Sequence, residues 1–315
     1  MSPIEKAKNF AVGVDIGGTK TLLALVSDDG KIVKQLEFKT LPEQGEERIL
    51  QQIEANVEQL IAYIPQDGKL KGIGIVSAGV IDSEQLSIVY ASNLGWHDVK
   101  VGAILKEKFN VDVVLGNDAN LSGVAEYVWG AKQQVKDLIY ITVSTGIGAG
   151  IISGGQLIKG VSDSAGEFGH ISVDLKGEQC KCGNYGCLEN YCSGTALASI
   201  ANERLAPLAG QSWTSRDVLE QAVDGNSEAL EIVKEAAFYL GNGVVSLIHL
   251  FNPSQIVFGG GVMSSEGILF TELKKVVEER ALPEMLKKVT MRQTELGKEI
   301  AVLGAAGVFF MNHHD

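Results

Sequence analysis

From Ala11 the chain reads A-V-G-V-D-I-G-G-T-K-T-L-L-A-L-V, two apolar strands separated by a polar turn at Gly17-Gly18. Asp28-Asp29-Gly30 then turns the chain into a third strand, Lys31 to Lys39. Between Glu46 and Ile64 the apolar positions Ile49, Leu50, Ile53, Val57, Leu60, Ile61 and Ile64 recur at a helical period, and Pro65 closes the run. Gly72 to Ser77 has the continuous apolar character of a buried strand and leads into Ala78-Gly79, and Asn93 to Trp96 reads as a polar loop. Val99 to Phe109 is predicted helical. Val111 to Leu115 is a short strand that delivers G-N-D-A-N, Gly116 to Asn120, ahead of a helix over Leu121 to Trp129.

Leu138 to Gly155 repeats the opening pattern of apolar strand, threonine-glycine turn and apolar strand, at Ser144-Thr145-Gly146. Two such hairpins, roughly 125 residues apart, predict an internally duplicated α/β architecture in which each half offers a phosphate-binding turn. Beyond them the pattern is mostly helical, with helices over Thr195 to Leu205 (Pro207 follows), Ser227 to Phe251 (ended by Asn252-Pro253), Glu266 to Ala281 and Ala301 to Met311. A strand over Gln255 to Phe258 runs into a third glycine turn, Gly259 to Gly261. No low-complexity linker separates the halves. The expected division is a small lobe of residues 1–116 plus the closing helix 301–315, and a large lobe of residues 117–300.

Composition narrows the class. The 315 residues are 45% hydrophobic and 21% charged, as in a globular protein, and 37 glycines against 6 prolines suggest tight turns and close backbone approach. A net charge of −12 without a lysine or arginine run disfavours nucleic acid and anionic membrane as partners. Met1 to Phe10 carries no apolar signal segment, and no run approaches the roughly 18 residues of a membrane span, so a cytoplasmic location is expected. In that compartment clustered cysteines point to metal before disulfide.

Three of the four cysteines, Cys180, Cys182 and Cys187, follow His170 closely, interleaved with Gly183 and Gly186. Thiolates and an imidazole at this spacing suit a closed, structural zinc site, although Cys192 could replace His170 as the fourth ligand, and plain thiols or a disulfide are the bland alternative. Asp118 follows a strand and precedes a helix, where ligands bind in α/β folds, but that is also where an ordinary helix N-cap stands. The first hairpin is not a Walker loop, because its lysine is misplaced and a strand follows it. Taken alone it reads equally well as a tight turn. Trp96, Trp129 and Trp213 read as packing residues, and His97, His249, His313 and His314 carry no assigned role.

Together, D-I-G-G-T-K at Asp15 to Lys20, G-N-D-A-N at Gly116 to Asn120, S-T-G-I-G at Ser144 to Gly148, E-F-G-H at Glu167 to His170 and C-x-C-G-x-x-G-C-x-E at Cys180 to Glu189 resemble the ROK family of bacterial sugar kinases and repressors. The resemblance spans residue 11 to the C-terminus, and the continuation from Leu188 to Leu197 looks most like the family's ATP-dependent glucokinases. It implies an actin-like (ribonuclease H-like) duplicated α/β fold, two lobes with a cleft between them, and phosphoryl transfer from ATP to the 6-hydroxyl of a hexose. By the same resemblance Asp118 is the general base, and Gly79, Asn93, Asn117, Asp118, Glu167, His170 and Glu189 contact the sugar. Asp15 organises Mg²⁺ through water, Gly17, Gly18, Thr19, Lys20, Thr145 and Gly146 surround phosphates, and Gly260 and Gly261 approach the nucleotide. His170, Cys180, Cys182 and Cys187 hold zinc, and the assembly is a homodimer.

One departure stands out: many relatives carry a proline where Ser77 to Val80 reads S-A-G-V. Glucose is the expected acceptor, with N-acetylmannosamine, N-acetylglucosamine and fructose as alternatives, and polyphosphate is an alternative donor. A sugar-sensing repressor is the least favoured reading, since such relatives add an N-terminal helix-turn-helix domain and only Met1 to Phe10 precedes the first strand here.

Overall fold

A computed structural model of the protein describes residues 9–205, 212–264 and 267–311. Pro207, Glu266, His313 and His314, named above, lie outside the described residues. The chain divides into two compact units, one of Met1–Val135, Gly155–Ala165 and Glu295–Asp315, the other of Lys136–Gly154 and Gly166–Thr294.

The first unit is built on a five-stranded sheet of β1 (Asn9–Ile16), β2 (Lys20–Ser27), β3 (Ile32–Lys39), β4 (Lys69–Ser77) and β8 (Val113–Gly116), in the order β3-β2-β1-β4-β8. Strands β1, β2 and β3 form an antiparallel meander, and β4 and β8 extend it in parallel with β1. Helix α1 (Glu46–Ile61) buries Ile49, Leu50, Ile53, Val57 and Leu60, the stripe its periodicity marks, against an apolar cluster that includes Phe10, Val14, Leu23 and Ile75. The C-terminal helix Ile300–Gly307 packs so closely that a Cβ on Gly13 or Gly74 would collide with the carbonyl of Val302 or Ala305. Glycines in two central strands therefore serve helix–sheet contact.

A second, three-stranded antiparallel sheet of β5 (Val80–Asp82), β6 (Ser87–Ala91) and β7 (Trp96–Val99) has no counterpart among the elements expected from the sequence. It takes in Trp96, at the end of the expected polar loop, and moves the start of helix α2 to Val101–Phe109. Helix α3 runs Asp118–Ala125, three residues earlier than expected, and continues into a π-helical turn over Glu126–Gly130.

The division also differs from the expected boundary at Gly116. Helix α3 stays with the first unit because it lies against the C-terminal helix, where a Cβ on Gly304 would strike the Leu121 carbonyl. The segment Gly155–Ala165 belongs there too, since Asp163 accepts hydrogen bonds from the backbone N–H of Ser83 at 2.9 Å and from its hydroxyl at 2.8 Å.

In the second unit Leu138–Val143 pairs antiparallel with Ile147–Ser153 and parallel with Gln255–Gly259, which in turn pairs parallel with Thr290–Gln293. The hairpin-then-parallel order of the first unit thus recurs. The long helix runs Ser227–Phe251 as the pattern predicts, capped by Asn226 Oδ1 accepting from the N–H groups of Glu228 and Ala229, and stopped by Asn252 in the left-handed conformation. Among the described residues no helix is long and apolar enough to cross a membrane.

Candidate functional site

In the first unit the residues expected at phosphate and sugar come together at the carboxyl ends of β1, β4 and β8, the edge where α/β sheets bind ligands. The turn between β1 and β2 is closed by the Gly17 N–H donating to the Lys20 carbonyl at 3.1 Å. It is pinned by a residue that the sequence does not single out: the Thr40 hydroxyl donates to the Gly17 carbonyl at 2.6 Å and is 3.0 Å from the hydroxyl of buried Thr21. No local motif marks Thr40, because it arrives from the far end of β3. Gly18 lies against Asn93, and a Cβ on Gly18 would sit 2.7 Å from the Asn93 carbonyl oxygen, so the turn and one expected sugar contact are neighbours. Thr19 is exposed. Lys20 is not a free cation at the turn, for its ammonium pairs with Glu37 at 2.7 Å. Gly79, between β4 and β5, holds φ at 109°, a backbone state that favours glycine, and a Cβ there would strike the Tyr90 carbonyl.

Asp15 lies near the end of β1 and Asp118 opens α3. Burial raises the Asp15 pKa from 3.8 to about 6, the Asp118 charge adds to the rise, and Lys20 opposes it. Asp118 is exposed to solvent on one side yet closely surrounded by protein on the others, and desolvation raises its pKa against the lowering effect of the Ala119 N–H, which donates to Oδ1 at 2.8 Å. The helix cap is Asn117, whose Oδ1 accepts from Ala119 N–H at 2.9 Å and Asn120 N–H at 3.4 Å. The capping role open to Asp118 thus falls to its neighbour. Asp118 occupies the first helical position, with its carboxylate beside the positive end of α3.

In the second unit, Thr145 and Gly146 form the turn of the second hairpin. Glu189 pins this turn, accepting from the Ile147 N–H at 3.0 Å, with its carboxylate close enough to bar a side chain at Gly146. A cavity of about 620 Å³ gathers Ser144, Thr145, Gly261 and Thr195 with Trp213, Thr214 and Arg216. Gly260, at φ 91°, passes beside Val143, and Gly261 opens the short helix Gly261–Ser264. Trp213 and Arg216 are not expected here from the sequence. The one readable signal nearby is Thr214-x-x-Asp217, which forms a capping box at the start of the helix Ser215–Val223.

Glu167 precedes and His170 ends the 3₁₀ turn Phe168–His170, with Glu167 Oε2 3.8 Å from His170 Nε2. The other ring nitrogen, Nδ1, is 3.8 Å from Cys180 Sγ, and the Sγ atoms of Cys182 and Cys187 are 3.6 Å apart. All four donor atoms of His170, Cys180, Cys182 and Cys187 lie within 4.8 Å of one another. Metal–sulfur bonds of about 2.3 Å at tetrahedral angles separate ligand atoms by about 3.8 Å, so these donors can hold a metal ion. Desolvation and the neighbouring thiols raise the Cys187 pKa, whereas a cation would favour the thiolate. Cys192 is elsewhere: fully buried, it donates from Sγ to the Leu188 carbonyl at 3.3 Å.

Two α/β units with matching strand orders and glycine hairpins, one carrying a His-Cys₃ cluster, make an actin-like fold. The chain belongs to the ROK family, whose model matches residues 11–311. It is 34% identical to a glucokinase of Halalkalibacterium halodurans, over 93% of this chain and 92% of the relative. It is 30% identical to the xylose repressor of Bacillus spizizenii, over 98% of this chain and 79% of the repressor. Among solved structures it is similar to a ROK family glucokinase from Streptomyces griseus in complex with glucose and AMPPNP, with a TM-score of 0.76 and 31% identity, covering 95% and 98% of the two chains.

Proposed function

We propose that this protein transfers the γ-phosphoryl group of ATP to the 6-hydroxyl of a hexose, with glucose as acceptor. The observation that carries the reading is the pair Asp15 and Asp118, two carboxylates at the ligand-binding edge of one sheet, both with raised pKa values. In the proposed mechanism Asp118 is the general base. Its raised proton affinity suits it to take the hydroxyl proton as the oxygen attacks phosphorus, and its place on α3 fixes the carboxylate. Asn93, Asn117, Gly79, Glu167, His170 and Glu189 would orient the sugar, since each hydroxyl both donates and accepts.

The turns at Gly17 to Lys20 and at Thr145-Gly146 would cradle the phosphates through backbone N–H groups, which lets a net-acidic chain bind an anion. Gly260 and Gly261 would border the nucleotide. Asp15, destabilised as an anion by burial and by Asp118, has the chemistry to hold Mg²⁺ through water, and Mg²⁺ supplies charge neutralisation of the phosphates when bound. Zinc on His170, Cys180, Cys182 and Cys187 would be structural, and would fix the His170 edge that faces Glu167. A cytoplasmic homodimer is part of this proposal, its oligomeric state testable by light scattering.

The match to xylose repressors supports a second reading, a sugar sensor without turnover. A coupled ADP-release assay with ATP across glucose, mannose, fructose, N-acetylglucosamine and N-acetylmannosamine, with sugar-phosphate detection when polyphosphate is the donor, separates the readings. Turnover highest on glucose with ATP is expected. A higher kcat/KM on another sugar moves the acceptor. Tight sugar binding without turnover on any of them overturns the kinase reading in favour of the sensor.

A further inference from the structure

Lys20 belongs to the proposed phosphate turn, yet its ammonium lies 2.7 Å from Glu37 Oε2, a residue with no part in the chemistry above. Strand register explains the pairing. Asp15 of β1 is opposite Leu22 of β2, and Leu22 is opposite Glu37 of β3, so the three form one row across the sheet. Lys20 stands two residues before Leu22 and directly opposite Lys39. Register partners and residues two apart share a sheet face, so Asp15, Lys20, Glu37 and Lys39 stand together on one face where the hairpin turns. Of the two carboxylates there, Lys20 is bonded to Glu37. Burial and the Asp118 charge both disfavour the Asp15 anion, and an ammonium bonded to it would offset them, yet among the described residues no ion pair reaches Asp15. The bond to Glu37 is also the main reason that the Lys20 pKa is raised, with Asp15 and Glu299 adding less from a distance.

We propose that Glu37 is a positioning residue: it holds Lys20 off Asp15 in the nucleotide-free chain and yields it to the phosphates when Mg²⁺ and ATP bind. An ammonium bonded to Asp15 would occupy the carboxylate proposed to hold Mg²⁺ through water, and the bond to Glu37 keeps that carboxylate open. Both side chains of the pair are about half exposed, at 57% and 48%, so the bond is weak enough to exchange. Lysine is a point charge on a flexible stem, and Lys20 ends the turn itself, so rotation of the stem alone can carry the ammonium toward a bound triphosphate. Glu37 then keeps a countercharge, because Lys39, two residues away on the same face, has no ion pair among the described residues. This role rests on the kinase reading in so far as a nucleotide occupies the turn.

Calorimetric titration of the full chain with Mg²⁺ and ATP, without sugar, reads the exchange directly. Glu37→Gln, which keeps the shape and removes the charge, should tighten ATP binding about threefold at low ionic strength, the scale of one exposed ion pair, and much less at about 0.5 M salt. With Lys20→Gln already in place the same substitution should change the dissociation constant by less than about 1.5-fold, since no ammonium is left to release. In turnover, Glu37→Gln should lower KM for ATP and leave KM for the sugar unchanged, a split that a merely structural role would not give. Unchanged ATP affinity in Glu37→Gln overturns the role given to Glu37, and weaker affinity does so too, because Glu37 would then present Lys20 to the phosphates. Equal tightening with and without Lys20 also overturns it, since Glu37 would be only a repelling charge near an anion. Absence of ATP binding to every variant overturns this role together with the kinase reading. Turnover with an ATP affinity indifferent to Glu37 counts against the role alone, and the expected coupling without turnover on any sugar counts against the kinase reading alone.

Discussion

Asp15 is the residue at which proposed function and stability pull in opposite directions, and Asp15→Asn separates them. The substitution keeps the side-chain shape and removes the charge. In the folded chain the Asp15 pKa rises from 3.8 to about 6, chiefly because burial disfavours the anion. Between those values the folded state keeps a proton that the unfolded state has released, so this group's contribution to stability falls as pH rises, and the loss is complete above the folded pKa. At about 1.36 kcal/mol for each tenfold change in proton affinity the full loss is roughly 3 kcal/mol. Partial exposure of the side chain and relaxation around it reduce that to about 1–2 kcal/mol.

Asp15→Asn should therefore be more stable than the unaltered chain by that amount at pH 7.5 and nearly equal to it at pH 4. At about 2–4 °C for each kcal/mol, the difference in melting temperature at pH 7.5 is a few degrees. The assay is thermal or urea unfolding of both proteins from pH 4 to 8, without Mg²⁺ and without chelator, so that the cysteine cluster is undisturbed. Adding Mg²⁺ with ATP should then stabilise the unaltered chain more than the variant, and the variant should lose most turnover. A variant that is less stable at pH 7.5, or a difference that does not change with pH, would refute the reasoning, because it would mean that Asp15 is satisfied as an anion by its surroundings.

Asp118→Asn should lower kcat by at least about 10²-fold and leave the sugar dissociation constant nearly unchanged; near-normal turnover removes Asp118 from the role of base. Chelation of the metal proposed at the His170-Cys₃ cluster, or Cys182→Ser, should weaken sugar binding about tenfold or more and lower the melting temperature, measured by sugar titration and calorimetry on the same sample. If the metal-free chain stays folded and binds sugar as before, the cluster does not support the sugar residues. Thr40→Val removes the hydroxyl that donates to the Gly17 carbonyl and pairs with Thr21, and should raise KM for ATP more than KM for the sugar. A loss of stability of about 1–3 kcal/mol with both KM values intact would make Thr40 a structural residue only.

Where one physical signal dominates, the sequence is readable. The helix Ser227–Phe251 has an Asn cap, an unbroken apolar stripe and an Asn-Pro stop, and the pattern marks both of its ends to the residue. Both hairpins show as apolar runs broken by glycine and threonine, and Cys180, Cys182 and Cys187 stand out by their spacing, whereas the choice of His170 over Cys192 as their companion comes from the family resemblance and agrees with the cluster that the structure gathers. The sheet of β5, β6 and β7 is not legible, because Val80–Asp82, Ser87–Ala91 and Trp96–Val99 are short and mix buried with exposed positions without strict alternation. The start of α3 falls three residues before its expected place although Asn117 is a favourable cap, since the apolar run that signals the helix begins only at Leu121. Trp213 and Arg216 carry no signal of their place, for they reach the Thr145 cavity only through the packing of a separate helix and the residues before it.

The two hairpins look alike in sequence, yet different means hold their turns. At Gly17 the clamp is a hydroxyl, Thr40, reaching a backbone carbonyl from the end of β3, so it uses none of the turn's N–H groups. At Gly146 the clamp is a carboxylate, Glu189, taking the Ile147 N–H from beyond the cysteine segment. The first turn depends on its own sheet for its shape. The second is held both by Glu189, two positions past Cys187, and by Thr195, whose hydroxyl donates to the Thr145 carbonyl at 2.8 Å, so what fixes the His170-Cys₃ cluster bears through Glu189 on a turn proposed to hold phosphate. Metal loss should therefore be felt at the nucleotide as well as at the sugar, and the KM for ATP of a chelated but folded sample is the measurement that decides it: a rise confined to the sugar would break the link through Glu189.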